Sequence, residues 1–170
     1  MQWYELIFVL IDMRSFSNLW YWIGLAVLWS SVSHWVMGVP FDMISRARKH
    51  GADAADDLAT LAGINARRLL FISRNAGLWL IAFTCFLLTL LGTLAFVYGV
   101  EFAQAVFLMF APMVLVSYLT LRCALRIEAE APVGAALVKR LLRHRFFVQL
   151  IGMLSIFVTA MFGMYQNLGL

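Results

Sequence analysis

Formal charge is scarce in this chain. Asp, Glu, Lys and Arg make up 13% of its 170 residues, about half the share of an ordinary soluble domain. None occurs between Arg14 and Asp42, between Arg74 and Glu101, between Glu101 and Arg122, or after Arg145. Segments that long without charge exclude a conventional water-facing surface. Cysteine is nearly absent too. Cys85 and Cys123 stand far apart with no CxxC, which excludes a disulfide scaffold and a thiolate cluster motif and leaves two buried free thiols as the reading. Catalytic signatures are missing: there is no GxSxG, HExxH or P-loop, and no pair of carboxylates inside an apolar run. The residues therefore predict no enzyme, no metal site and no bound cofactor. No uninterrupted basic run with interleaved aromatics is present, which argues against nucleic-acid binding. A standard signal peptide is also missing. Glu5 interrupts the first apolar run, no basic segment leads it and no small-residue cleavage site follows, so the whole chain is expected to be retained.

Apolar length fills the space that charge leaves. Hydrophobic residues reach 64% and mean hydropathy is +0.87. A bilayer core of roughly 30 Å needs about 20 apolar residues per helix. Four stretches meet that need, at 19–39, 76–98, 102–121 and 146–165. Trp20, Tyr21 and Trp22 open the first and Trp35 lies near its end, as two aromatic belts require. Pro40 is expected to kink that helix rather than end it. Residues 2–13, QWYELIFVLIDM, are too short to span and predict a helix lying on the membrane surface. SFSN, at 15–18, supplies Ser and Asn caps for the helix that follows. The expected fold is a single-domain, all-α bundle of four transmembrane helices with an N-terminal interfacial helix and a short helical annex in the cytoplasm.

Two polar connections, 42–74 and 122–145, make that annex. In the first, ADAADDLATLA between Gly51 and Gly63 predicts a short helix with Asp53 at its positive end, and INARRLLFISR continues into the second span. In the second, helix is expected to run past Leu121 through LRCALRIEAEA and stop before Pro132. Arg122, Arg126 and Glu130 share one face there, and the Arg126–Glu130 spacing suits an ion pair. Of the 13 Lys and Arg residues, only Arg14 lies outside these two connections. The positive-inside rule then predicts a multi-pass bacterial inner-membrane protein with both connections cytoplasmic and both termini periplasmic.

Candidate sites are few. His34 is the only histidine well inside a span, and His144 stands at the mouth of the fourth. Two histidines at similar depth on different helices are the pattern of bis-His haem ligation; the alternative is that His34 bonds to hydroxyls or a carbonyl. Thr84, Thr89, Thr93, Gln104, Ser117, Gln149, Ser155 and Thr159 are the polar residues of the spans and read as helix–helix contacts. Ser73–Gly77 and Thr159–Gly163 put small residues one turn apart and permit close helix approach. The basic rim of Arg46, Arg48, Arg67, Arg68, Arg74, Lys139, Arg140 and Arg143 suits anionic lipid or an acidic partner surface.

Several segments carry a family resemblance: DMRSFSNLWYWIGLAVLWSSVSHWVMGVPFDM, GVEFAQAVFLMFAPM, RIEAE and RHRFFVQLIGMLSIFVTAMFGMYQNL. With these the chain resembles a family of small four-span inner-membrane proteins of the Rhodobacter group of alphaproteobacteria, labelled "component of SufBCD complex". The resemblance implies a link to iron–sulfur cluster assembly, as a membrane partner rather than a scaffold. Taken together, the expectation is a non-catalytic accessory or assembly subunit of a larger membrane complex, in contact with lipid and with partners or copies of itself. A homo-oligomeric small channel or transporter is the alternative, and a haem- or quinone-linked redox protein using His34 is the second.

Overall fold

The computed structural model describes residues 15–49 and 51–168; the surface helix expected over 2–13 lies outside them. A 3-10 turn, Ser15–Ser17, leads into α1, Leu19–His34. A two-stranded hairpin follows, β1 Trp35–Val36 and β2 Val39–Pro40, then α2, Phe41–Lys49. Three long helices complete the chain: α3 Ala52–Phe96, α4 Glu101–Glu130 and α5 Gly134–Leu168. All three are long and apolar enough to cross a membrane. The chain is an all-α, multi-pass membrane protein.

The stretch 19–39 is not one continuous helix. α1 has 16 residues, a rise of roughly 24 Å. After His34 the backbone turns extended, and Val36 pairs with Val39 and Trp35 with Pro40. Met37 and Gly38 both have positive φ, 54° and 74°, as a two-residue hairpin turn of mirror-image type demands. Pro40 therefore kinks nothing. It ends a short strand, where its missing N–H is tolerated. The start of α1 follows from its cap: the Asn18 side chain accepts a hydrogen bond from the Trp20 N–H at 3.0 Å.

Gly63 does not break the helix either. α3 runs through it for 45 residues, because one buried stripe, Leu58, Ala62, Ala66 and Leu70, recurs every fourth residue on both sides of the glycine. That stripe packs with Val39, Ile44, Ala124, Ile127, Leu137 and Leu141 in one apolar core. This core sits at the end of the molecule where α2, the start of α3, the end of α4 and the start of α5 meet. A second, smaller cluster lies among the apolar stretches: Leu25 and Trp29 from α1, Val116 from α4 and Val148 from α5.

α1 lies along α5. At one end Ser17 Oγ donates to Asn167 Oδ1 at 2.7 Å, and Phe16 packs on Gly163. At the other, Arg145 Nε donates to the Ser33 carbonyl at 3.1 Å. Between them Trp29 covers Gly152 so closely that a Cβ there would meet its ring at 2.8 Å. Gly152, Ser155, Thr159 and Gly163 are all buried along α5, a stripe of small residues that admits the rings of Trp29 in α1 and Phe16 in the turn before it. Of the two small-residue pairs in the sequence, Thr159–Gly163 belongs to this seam. A Cβ added at Gly77 would instead meet Ser73 Oγ of its own helix, at 3.8 Å.

α3 and α4 form an antiparallel hairpin over a turn in which Gly99 has a φ of 68°. Across it Gln104 Nε2 donates to the Ala95 carbonyl at 2.8 Å and its Oε1 accepts from Gln166 of α5. At the far end α4 stops at Glu130. Ala131 takes the left-handed conformation, and its N–H caps the Ile127 carbonyl before Pro132.

Candidate functional site

The basic end of the bundle gathers most of the chain's charge, and its side chains sort by whether they have a carboxylate. Arg46 pairs with Asp42 one turn away at 2.7 Å. Arg74 of α3 grips Glu128 of α4 through both terminal nitrogens, at 2.6 and 3.3 Å. Glu130 does not pair with Arg126 on its own helix. Arg140 reaches it from α5 and also donates to the Arg126 carbonyl at 3.1 Å. The physical reason is position: Glu130 is the last helical residue, and the chain reverses just beyond it, bringing α5 alongside. This bond holds the Glu130 carboxyl below the usual carboxylate range, with the positive charges of Arg126 and Arg143 acting in the same direction. No ion pair forms at Arg48, Arg67, Arg68, Lys139 or Arg143 among the described residues.

Three cavities open at this end among the described residues, and His144 lines two of them. The largest, about 420 Å³, lies between the hairpin, α3, α4 and α5. Val36, Met37, Leu69, Ile72, Val116 and Val148 line it, with Asn65, Arg68, Thr120, His144 and Arg145 among them. Asn65 Nδ2 donates to the Gly38 carbonyl at 3.1 Å and so ties α3 to the hairpin turn. Arg145 lies flat over the Phe41 ring, its guanidinium carbon 3.6 Å from the centroid, a cation–π contact that places a charge beside an apolar wall.

The smallest cavity, about 150 Å³, lies between α4 and α5. Four arginines line it: Arg122 and Arg126 from α4, and Arg140 and Arg143 from α5. Cys123, His144, Leu119 and Phe147 complete the wall. Arg122 stands over the Tyr118 ring at 5.6 Å. Arg140 and Arg143 were evident as part of a basic rim. Arg122 and Arg126 were evident only as a helix face, and their convergence with the other two was not. The signal was in the spacing: an i, i+4 pair before a helix reversal and an i, i+3 pair after it meet when the two helices pack antiparallel.

The two histidines occupy different surroundings. His144 is buried, and its Nε2 lies 3.3 Å from Thr120 Oγ1 of α4. His34 is exposed on α1, its ring edge-on to Trp35 at 5.9 Å. It makes no hydrogen bond to Ser30, Ser31 or Ser33 among the described residues. His144 lines the largest and the smallest of the cavities described above, and His34 lines neither. Cys85 is exposed on α3 and Cys123 is buried on α4, and no cluster of three or more His, Cys, Asp or Glu residues occurs among the described residues.

The hydroxyls in the apolar stretches mostly bond within their own helix. Thr89 donates to the Cys85 carbonyl and Thr93 to that of Thr89, each at 2.8 Å. Ser117 donates to the Met113 carbonyl at 2.9 Å and Thr120 to that of Val116 at 2.8 Å. Such bonds satisfy the hydroxyl without presenting it to a path across the bundle. Trp29 Nε1, Ser155 Oγ and Thr159 Oγ1, by contrast, are buried along the α1–α5 seam with no partner among the described residues.

No family model, curated protein or solved structure matches this chain.

Proposed function

We propose that this chain is a four-span inner-membrane protein with both termini in the periplasm, and that it serves as a non-catalytic accessory or assembly subunit of a larger membrane complex. The observation that carries this reading is the outer face of α3. Only 6% of its most apolar stretch is buried within the chain, against 28% for α5. Leu78, Trp79, Phe83 and Phe86 all point away from the bundle. A spanning helix held on one side only, and rich in large aromatic side chains, offers a surface for another membrane protein.

The span count and orientation have their own support. α1 is short, yet its ends are tied to Asn167 and Arg145 of α5. It therefore keeps level with the whole uncharged stretch 146–165, and the hairpin and Trp35 complete its reach. The connections 42–74 and 122–145 meet at one end through Arg74–Glu128 and a common apolar core, as a shared cytoplasmic side requires. The self-satisfied hydroxyls of α3 and α4 favour a packing role over a solute path. The family resemblance adds a link to iron–sulfur cluster assembly. A membrane partner fits that link better than a scaffold does, since Cys85 and Cys123 occupy separate environments.

Purification from native membranes in mild detergent tests the reading. The expected result is a stable partner that cross-links to a photoreactive residue placed at Trp79. Recovery of the chain alone, with ion or solute flux after reconstitution, would favour the channel reading instead. A Soret band in the purified protein would favour the haem reading.

A further inference from the structure

We propose that the four-arginine niche between α4 and α5 is a binding site for the phosphate of an anionic phospholipid in the leaflet facing the basic end. The inference rests on the reading of α4 and α5 as membrane-spanning and is independent of the accessory role. Four arginines line one small cavity, and only one of them, Arg140, has a carboxylate partner among the described residues. Like charges brought together repel, and an anion held between them relieves that repulsion. Arginine is suited to the task, because its planar fork matches phosphate oxygens two at a time. The Arg140 hydrogen bond is the main cause that holds the Glu130 carboxyl below its usual range, and the positive charges of Arg126 and Arg143 add to it.

Depth in the bilayer selects a lipid over a free anion. Arg122 directly follows the uncharged stretch that ends at Leu121, and Arg143 precedes the one that begins at Phe146. The niche thus stands at the level of lipid headgroups. Its wall is apolar on the membrane side, where Leu119 and Phe147 lie one helical turn from Arg122 and Arg143. An anionic head with a hydrocarbon tail matches both halves. Basic pockets between spanning helices on the cytoplasmic side are where anionic lipids are held.

The test uses the full chain in nanodiscs of phosphatidylcholine with and without phosphatidylglycerol or cardiolipin, read by native mass spectrometry for retained lipid. Retention of the anionic lipids is expected, and Arg126→Gln with Arg143→Gln should lower it by roughly tenfold or more. Arg67→Gln with Arg68→Gln removes as much charge from another part of the same end and should lower retention by much less than the niche pair does. Equal losses from both double variants would mean diffuse charge attraction and overturn the site. Thermal protection by millimolar inorganic phosphate, without lipid retention, would overturn the lipid as its ligand. If the Gln variant misfolds, a photoreactive phosphatidylglycerol on the wild-type chain decides: cross-links confined to residues 118–126 and 140–147 support the niche, and a spread over all helices refutes it. A chain that remains soluble without detergent defeats the membrane reading, a failure distinct from any of these.

Discussion

Gly152 shows how much one missing methyl group can decide. Its Cα faces the Trp29 ring so closely that a Cβ would lie 2.8 Å from it, and the ring is fixed between α1, α4 and α5. Gly152→Ala is therefore expected to destabilise the bundle by about 1–3 kcal/mol through overpacking, measured as resistance to unfolding in denaturing detergent. Combining it with Trp29→Leu should recover part of the loss. Glu130 is a second residue with a measurable consequence. Its carboxyl titrates below the ordinary range when folded, so its contribution is present above the unfolded pKa and is lost as pH falls through the folded one. Unfolding followed from neutral pH to below the ordinary glutamate pKa of about 4.3 should show a loss that Glu130→Gln reduces. A variant with an unchanged pH profile would mean that the Arg140 bond contributes nothing to stability.

At the scale of elements, α3 is the instructive case. Gly51 and Gly63 look alike in the sequence, as punctuation around an alanine-rich segment. Gly51 has a φ of 85° and stands outside the helix. Gly63 lies inside it, with only Arg67 Nη1 in ordinary contact distance of a Cβ, at 3.7 Å. Gly63→Ala should therefore stabilise the protein by about 0.5–1 kcal/mol, since the glycine costs backbone entropy and the added methyl group has room. A loss of stability would mean that a bend at this point is needed. α1 is the opposite case. Its apolar length continues past His34, yet the helix ends there, because Met37 and Gly38 adopt a turn that folds Val36 and Val39 into the core of the basic end. Hydrophobicity shows that these valines are buried and does not show in which backbone form, because a strand and a helix end satisfy the same short run.

For the molecule as a whole, the arrangement of charge makes the boldest claim. Both basic connections converge at one end, and Phe16, Glu101 and Asn167 mark the other. With Cys85 and Cys123 replaced by alanine, single cysteines at Asn167 and Ala135 report on the two ends. An impermeant maleimide should label the Asn167→Cys variant in intact cells, and the Ala135→Cys variant only in inverted membranes. The reverse pattern would refute the periplasmic placement of the termini. The same experiment bears on α1: if it did not span, a cysteine placed in the hairpin, at Gly38, and one at Ser17 would report the same side.

Much of this was legible without coordinates. The long uncharged runs, the concentration of arginine and lysine in two connections, the cap at Asn18 and the stop before Pro132 are local properties. Each is determined by a residue's own chemistry or by its neighbours within a turn, so one dimension suffices to read them. The hairpin, the partner of Glu130, the seam of Gly152 and Gly163 under the rings of Trp29 and Phe16, and the meeting of Arg122 and Arg126 with Arg140 and Arg143 were decided only by the tertiary structure. All of them depend on which helix faces lie against each other, and that choice is made by packing between residues distant in sequence, where periodicity carries no information.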